Sequence, residues 1–236
     1  MRASPMRFMG PKRFHPSPIR IAQLPRIKGV ILSHDHYDHF DHDALLELDE
    51  KVEKFYTPLG VGKRLIKMGI HSKKVIEHDW GDSVKVGAIT LITTPAQHFS
   101  GRSLFDEYST LWASWVIKTP TISLFFSGDS GYFSGFKRIG KEYGPFDMSF
   151  MELGAYNVHW KEMHMMPKES VQVHIDIGAR VMFPIHNGTF DLALHSWHDP
   201  FDQAEQIARE RNISIRFPKM GEALSILQPS ETDRWW

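Results

Sequence analysis

Val30-Ile31-Leu32-Ser33-His34-Asp35-His36-Tyr37-Asp38-His39 is the stretch on which the reading of this chain turns. Three imidazoles and two carboxylates fall within six residues. The β-branched run before them predicts a buried strand, over Ile27 to Ser33, that delivers a loop of ligands at its end. A solvated His/Asp-rich turn is the bland alternative. The strand, and the partners supplied further along the chain, argue against it.

Those partners follow the same pattern. Strand-like runs precede Thr93-Thr94-Pro95-Ala96-Gln97-His98, Ser127-Gly128-Asp129-Ser130 and Pro184-Ile185-His186. Taken alone, a single His is more often structural and an Asp after Gly is more often a turn or a cap. Four apolar strands that each end in a ligand-type residue make the stronger joint case. In an extended loop alternate residues share a side, so His34 and His36 can hold one metal together with His98. Asp38 and His39 can reach a second metal with His186, and Asp129 is placed to bridge. A hydrolytic two-metal site needs such a set, with the ions about 3.5–4 Å apart. The chain has no cysteine, which leaves imidazole and carboxylate as donors. That combination suits two catalytic Zn2+ ions, although iron and manganese accept the same donors.

The rest of the chain frames this site. At 236 residues, 42% hydrophobic and 12% aromatic, it is long and apolar enough for a core. Its formal net charge is zero, which offers no global attraction to nucleic acid. No apolar run approaches the ~20 residues of a membrane span, and the absence of cysteine fits a cytoplasmic protein. Up to residue 34 the chain carries seven Lys/Arg and no acid. The prolines there oppose the amphipathic helix of a transit peptide. The expectation is an extended basic loop over 1–26, able to meet anionic head groups as a peripheral membrane contact.

Helices are predicted after Asp41 or Asp43, over Leu59 to Met68, Phe136 to Tyr143, Pro167 to Asp176 and Pro200 to Arg211. Hairpins are predicted at Val86-Gly87-Ala88 and Thr119-Pro120-Thr121. Ile213 to Phe217 and Ala223 to Leu227 are expected to close the sheet. βα units with added antiparallel hairpins describe a mixed α/β layer architecture with its site at one rim. No repeat or linker interrupts it, so one domain over 1–236 is expected.

The pattern His-x-His-x-Asp-His, then a loop His, Gly-Asp-Ser and Pro-Ile-His resembles the metallo-β-lactamase fold hydrolases. Gly10-Pro11-Lys12-Arg13-Phe14, Ser109-Thr110-Leu111-Trp112-Ala113-Ser114-Trp115 and Leu153-Gly154-Ala155-Tyr156-Asn157 are similar to the branch that contains N-acylphosphatidylethanolamine-hydrolysing phospholipase D. The similarity runs from about Gly10 to about Trp197; ascorbate-6-phosphate lactonases are more distant. The resemblance implies an αββα sandwich and a binuclear zinc phosphodiesterase acting on a lipid-like small molecule through a metal-bridging hydroxide. It assigns His34, His36 and His98 to one metal, Asp38, His39 and His186 to the other, and Asp129 to both. In the reaction Asp38 and Asp129 orient the hydroxide, and Tyr37 and His164 contact the substrate phosphate. Met163, Met165 and Met166 either line an acyl channel or fill the core.

The same site would serve a lactonase or ester hydrolase. The family fold also places several strands before the motif, whereas only 33 residues precede His34. The first strands are therefore expected to be missing, with a sheet edge exposed. That raises two further readings: an inactive metal-binding remnant, or pairing in a homo-oligomer.

Overall fold

The computed structural model describes residues 2–6 and 8–236; Met1 and Arg7 of the basic segment lie outside the described residues. Among the described residues, five α-helices and nine strands follow in order, with short 3-10 turns at Ile21–Gln23 and Ser72–Lys74. They are β1 (Ile27–Ile31), α1 (His42–Asp49), β2 (Val52–Pro58), α2 (Val61–Met68), β3 (Val75–His78), β4 (Ser83–Val86), β5 (Ile89–Thr94), β6 (Ser114–Lys118), β7 (Ser123–Phe126), α3 (Gly135–Tyr143), β8 (Phe146–Glu152), α4 (Pro167–Asp176), β9 (Ala179–Ile185) and α5 (Asp199–Glu210).

Two sheets result. The first is parallel, in the order β1-β2-β3; the second has six strands in the order β4-β5-β6-β7-β8-β9. Its strands from β4 to β7 pair antiparallel, β4–β5 and β6–β7 as hairpins and β5–β6 across the loop 95–113, and β7-β8-β9 pair parallel, with α3 and α4 as the crossovers. Parallel neighbours need such crossovers, antiparallel ones do not. Among the described residues β1 is an edge of the first sheet.

The layers follow from which faces are apolar. Phe55, Leu45, Val61 and Leu65 pack together, so α1 and α2 cover the outer face of the first sheet. Phe125, Phe136, Ile139, Val171 and Met182 pack α3 and α4 onto the second. Between the sheets lie Tyr56 from β2, Leu91 from β5 and Trp115 from β6, with Ile31 and Ile76 alongside. The order is helices, sheet, sheet, helices: the αββα sandwich that the resemblance implied. Each large side chain fully buried here contributes about 1.5–3 kcal/mol. Trp115 also ties the sandwich to the motif, because its Nε1 donates to the Leu32 carbonyl at 2.9 Å.

The helix termini obey the local rules read from the sequence. Asp41 caps α1 by accepting from Ala44 N–H at 2.8 Å, and α4 opens on Pro167 with Glu169 accepting from Met166 N–H at 3.0 Å.

Two expectations need correction. Ile213 to Phe217 makes one isolated bridge, Ile215 to Met182. It is held by Met182 N–H on Ser214 O and Arg216 N–H on Met182 O, both 2.9 Å. Ala223 to Leu227 forms no strand and is mostly exposed, with Arg180 donating to its last carbonyls. Alternation predicts a strand only where a partner edge and an apolar face exist; Ile213 to Phe217 meets the edge of β9 at a single bridge, and Ala223 to Leu227 has neither edge nor buried face. The basic segment is also more than a free loop. It folds back on itself through the Arg2–Lys12 bridge, and Arg13 then pairs with Phe190 beside the ligand loops. No helix among the described residues is long and apolar enough to cross a membrane.

Candidate metal centre

Four strand ends converge at one rim of the sandwich. β1 leads into His34 to His39, β5 into His98, β7 into Asp129, and β9 directly into His186. Two glycines make the convergence sterically feasible. Gly128 has φ +58°, and a Cβ on it would lie 2.8 Å from Ser33 Cβ and 2.9 Å from the Ala113 carbonyl. Gly154 would place a Cβ 2.2 Å from the His186 carbonyl. His186 itself is held at φ 59°, a conformation that costs a β-carbon-bearing residue roughly 1–3 kcal/mol.

The structure brings the seven predicted ligands together in two groups. His34, His36 and His98 form one; Asp38, His39, Asp129 and His186 form the other; within each, all ligand atoms lie within 4.8 Å of one another. In the first, His34 Nε2 and His98 Nε2 face His36 Nδ1 at 3.0 and 3.3 Å. In the second, Asp38 Oδ2 stands 3.2 Å from both His39 Nε2 and His186 Nε2. Asp129 Oδ2 looks at both groups. It is 2.9 Å from His39 Nε2 and 3.3 Å from His186 Nε2 on one side, and 3.7 Å from His34 Nε2 and 3.9 Å from His98 Nε2 on the other.

Partners behind the rings decide which nitrogen points inward. His98 Nδ1 bonds the Met163 carbonyl at 2.9 Å, so that nitrogen carries the hydrogen and Nε2 keeps its lone pair. His34 Nδ1 bonds Ser33 Oγ at 3.0 Å. Burial, reinforced by His39, holds His34 well below the ordinary imidazole range, and burial lowers His36 and takes His98 to about 3. These rings stay neutral, the state in which an imidazole nitrogen can bind a metal ion. Burial opposes ionisation at Asp38 and Asp129, yet the surrounding imidazoles hold both carboxyls below their usual range.

These residues fit metal ions. Neutral ring nitrogens that face one another, as His34 and His98 face His36, can share only one hydrogen per pair, and His39 Nε2 is buried between the Asp38 and Asp129 carboxylates, which raise it against the effect of burial. A cation between the facing ring nitrogens would satisfy their lone pairs at once. With nitrogen and oxygen donors only, and an adjoining cavity of about 270 Å³ lined by His36, Asp38, Asp129, His164 and His186, the donor set is of the catalytic, open type.

The two residues expected at the substrate phosphate fare differently. His164 reaches this cavity. Burial opposes its charging, but the facing Glu152 carboxylate raises it to about 9, so it is cationic at neutral pH. Tyr37 is turned away: its hydroxyl donates to the Arg102 carbonyl at 2.7 Å and its ring lies under the Arg102 guanidinium at 3.9 Å. It lines a separate cavity with Arg2, Lys12 and Phe40. Arg102 holds it there because it is itself fixed by the Asp35 and Phe40 carbonyls, at 2.7 and 3.0 Å. The methionines split too. Met165 is in the core, Met166 caps α4, and Met163 lines the cavity.

Sequence reading missed two buried carboxylates. Asp35, inside the motif, is fully buried and turned outward from the ligand groups. It accepts from Gly101 N–H at 3.0 Å and Thr110 Oγ1 at 3.1 Å and pairs with Arg64 at 2.6 Å. Glu152, fully buried at the end of β8, faces His164. The available signal was a charged residue closing the apolar run Met148 to Met151.

Residues 3–187 match the model of the Beta-lactamase superfamily domain. An uncharacterized protein of Mycobacterium tuberculosis is 39% identical over 239 residues, covering 100% of this chain and 64% of its own length. An N-acyl-phosphatidylethanolamine-hydrolyzing phospholipase D of Caenorhabditis elegans is 37% identical over 239 residues, covering 94% of this chain and 67% of its own. The chain thus spans about two thirds of the length of these relatives. Among solved structures, Igni18, a metallo hydrolase of Ignicoccus hospitalis, superposes with a TM-score of 0.66 at 20% identity, covering 84% of this chain and 78% of its own. That similarity concerns the fold alone.

Proposed function

We propose that this chain, which belongs to the beta-lactamase superfamily, is a binuclear zinc-dependent phosphodiesterase of phospholipase D type, acting on N-acylphosphatidylethanolamine-like substrates. The observation that carries the reading is the pair of ligand groups sharing Asp129 Oδ2. His34, His36 and His98 would hold one ion, Asp38, His39 and His186 the other, and Asp129 both. When bound, such ions supply Lewis acidity and a water acidic enough to ionise near neutral pH.

The chain's own residues supply the rest. Asp38 and Asp129 offer carboxylate oxygens that orient the attacking water and take up its proton. His164, held cationic by Glu152, stands where it can donate to a phosphate oxygen and offset charge that grows in the transition state. Attack at phosphorus releases the alcohol and leaves a phosphate monoester. A second cavity at Asp38 and His186, about 270 Å³, has Phe14, Phe126, Leu192 and Trp197 in its walls. It adjoins an apolar one of about 440 Å³ with Met220 and Trp235. Anion-binding groups beside apolar walls suit a phosphodiester with aliphatic substituents. The 37% identity to the nematode phospholipase supports the same class.

The test is incubation of zinc-loaded protein with N-acylphosphatidylethanolamine in mixed micelles. The expected products are phosphatidate and N-acylethanolamine, abolished by a chelator and restored by zinc. Folded protein carrying two zinc ions that cleaves neither this lipid nor simple phosphodiesters would sink the reading; faster turnover of lactones would transfer it to ester hydrolysis.

A further inference from the structure

Glu152 belongs to neither ligand group, yet it touches the supports of both. Its side chain is fully buried at the C-terminal end of β8. Oε2 accepts from Ser130 N–H at 2.8 Å, gripping the residue after Asp129. Its own N–H donates to Ser127 Oγ at 2.9 Å, two residues before Asp129. Oε1 faces His164 Nδ1 and stands 3.9 Å from His186 Nδ1. That His186 nitrogen is buried and makes no hydrogen bond. The His164 and His186 rings stack at 5.3 Å and 6°, so one carboxylate lies behind two parallel imidazoles.

A need to satisfy Ser130 N–H alone does not explain a carboxylate here, because a neutral acceptor would do so without the cost of burying charge. The charge faces His164 directly and also stands behind His186. We propose that Glu152 is a positioning residue for the second metal group, fixing His186 with hydrogen on Nδ1 so that Nε2 presents its lone pair beside Asp38 and Asp129. At 3.9 Å the contact is longer than a hydrogen bond, so it acts on the tautomer through the field of the carboxylate. Nδ1 has no other polar partner to stabilise the opposite tautomer. The same oxygen holds His164, which couples the substrate-facing imidazole to the ligand. Carboxylates behind metal-bound histidines orient the ring and strengthen the donor, and their loss weakens metal binding by about 10- to 100-fold.

This rests on the reading that the two groups hold metal, and its test reads metal binding rather than turnover. Zinc is titrated into metal-free wild-type, Glu152→Gln and His164→Ala proteins against a chromophoric chelator, with cobalt spectra as the signature of each site. In Glu152→Gln the zinc of the group that contains His186 is expected to loosen by about 10- to 100-fold, while the zinc held by His34, His36 and His98 keeps its cobalt bands. His164→Ala keeps Glu152 and should hold both ions normally. Wild-type affinity for both ions in Glu152→Gln overturns the proposal, as does an equal loss in His164→Ala. Should the Gln protein not fold, long-range 1H–15N spectra of metal-free wild-type protein decide the same point. Hydrogen on His186 Nδ1 supports the assignment; hydrogen on Nε2 refutes it. A protein that binds two zinc ions as described but cleaves no phosphodiester leaves this inference standing and removes only the proposed substrate.

Discussion

Replacing Asp35 by Asn should destabilise the protein by about 2–3 kcal/mol, although Asp35 is flanked by two proposed ligands and is not itself one. Its two oxygens have different work. Oδ1 accepts from Gly101 N–H at 3.0 Å; Oδ2 accepts from Thr110 Oγ1 at 3.1 Å and pairs with Arg64 Nε at 2.6 Å. An amide has one acceptor and one donor end, so either rotamer sets an NH2 against an existing donor. Breaking a buried pair costs roughly 3–5 kcal/mol when the surviving charge is stranded. Arg64 is not wholly stranded, because it is 23% exposed and keeps Asp106 at 2.9 Å, which brings the estimate down to about 2–3 kcal/mol. For 236 residues the unfolding entropy is about 0.5 kcal/mol per degree, so the melting temperature should fall by about 5 °C. The assay is urea and thermal unfolding of chelator-treated protein, which separates this effect from metal binding. Zinc affinity should fall as well, because Gly101 and Thr110 tether the His34–Asp35–His36 loop through this carboxylate. A loss below about 0.5 kcal/mol, the ordinary range for surface changes, would refute the argument that Asp35 anchors the loop.

Two further outcomes follow from the same structure. Gly128→Ala, with φ +58° and its Cβ directed at Ser33 Cβ and the Ala113 carbonyl, should cost about 1–2 kcal/mol in backbone strain alone and displace Asp129; chelator-competed zinc binding and a melt should both weaken, and an unchanged zinc affinity would show that the turn tolerates a side chain. His174, buried in α4 against Ser149 Oγ at 2.9 Å, is lowered by burial to about 4. Below its unfolded value near 6.5 the unfolded chain binds a proton that the native one refuses. Stability is therefore lost as pH falls from about 6.5 to about 4, by about 3 kcal/mol in all. Urea midpoints of wild-type and His174→Gln proteins should converge over that window, and parallel pH curves would contradict the assignment.

The candidate ligand set was legible because it is written in local patterns. An apolar strand that stops at a His or Asp is a short-range feature, and four of them in one chain, at His34, His98, Asp129 and His186, point to one rim. Strand and helix positions were legible for the same reason, down to the Asp41 cap and the Pro167 start. The last two strands were not: Ile213 to Phe217 meets the β9 edge at a single bridge, and Ala223 to Leu227 alternates without an edge to pair with. Asp35 and Glu152 escaped notice because their partners are distant: Arg64 and Gly101 for one, Ser130 and His164 for the other.

The sequence by itself determined which atoms could bind metal, since donor type belongs to the side chain and strand ends are set by nearest neighbours. Only the tertiary structure decided how those atoms are used. The His98 lone pair is aimed by the Met163 carbonyl, from a loop 65 residues away. The Tyr37 hydroxyl is withdrawn from the site by Arg102 across an equal distance along the chain. Orientation of a ring or a hydroxyl depends on which buried group lies behind it, and that group is chosen by packing rather than by sequence spacing.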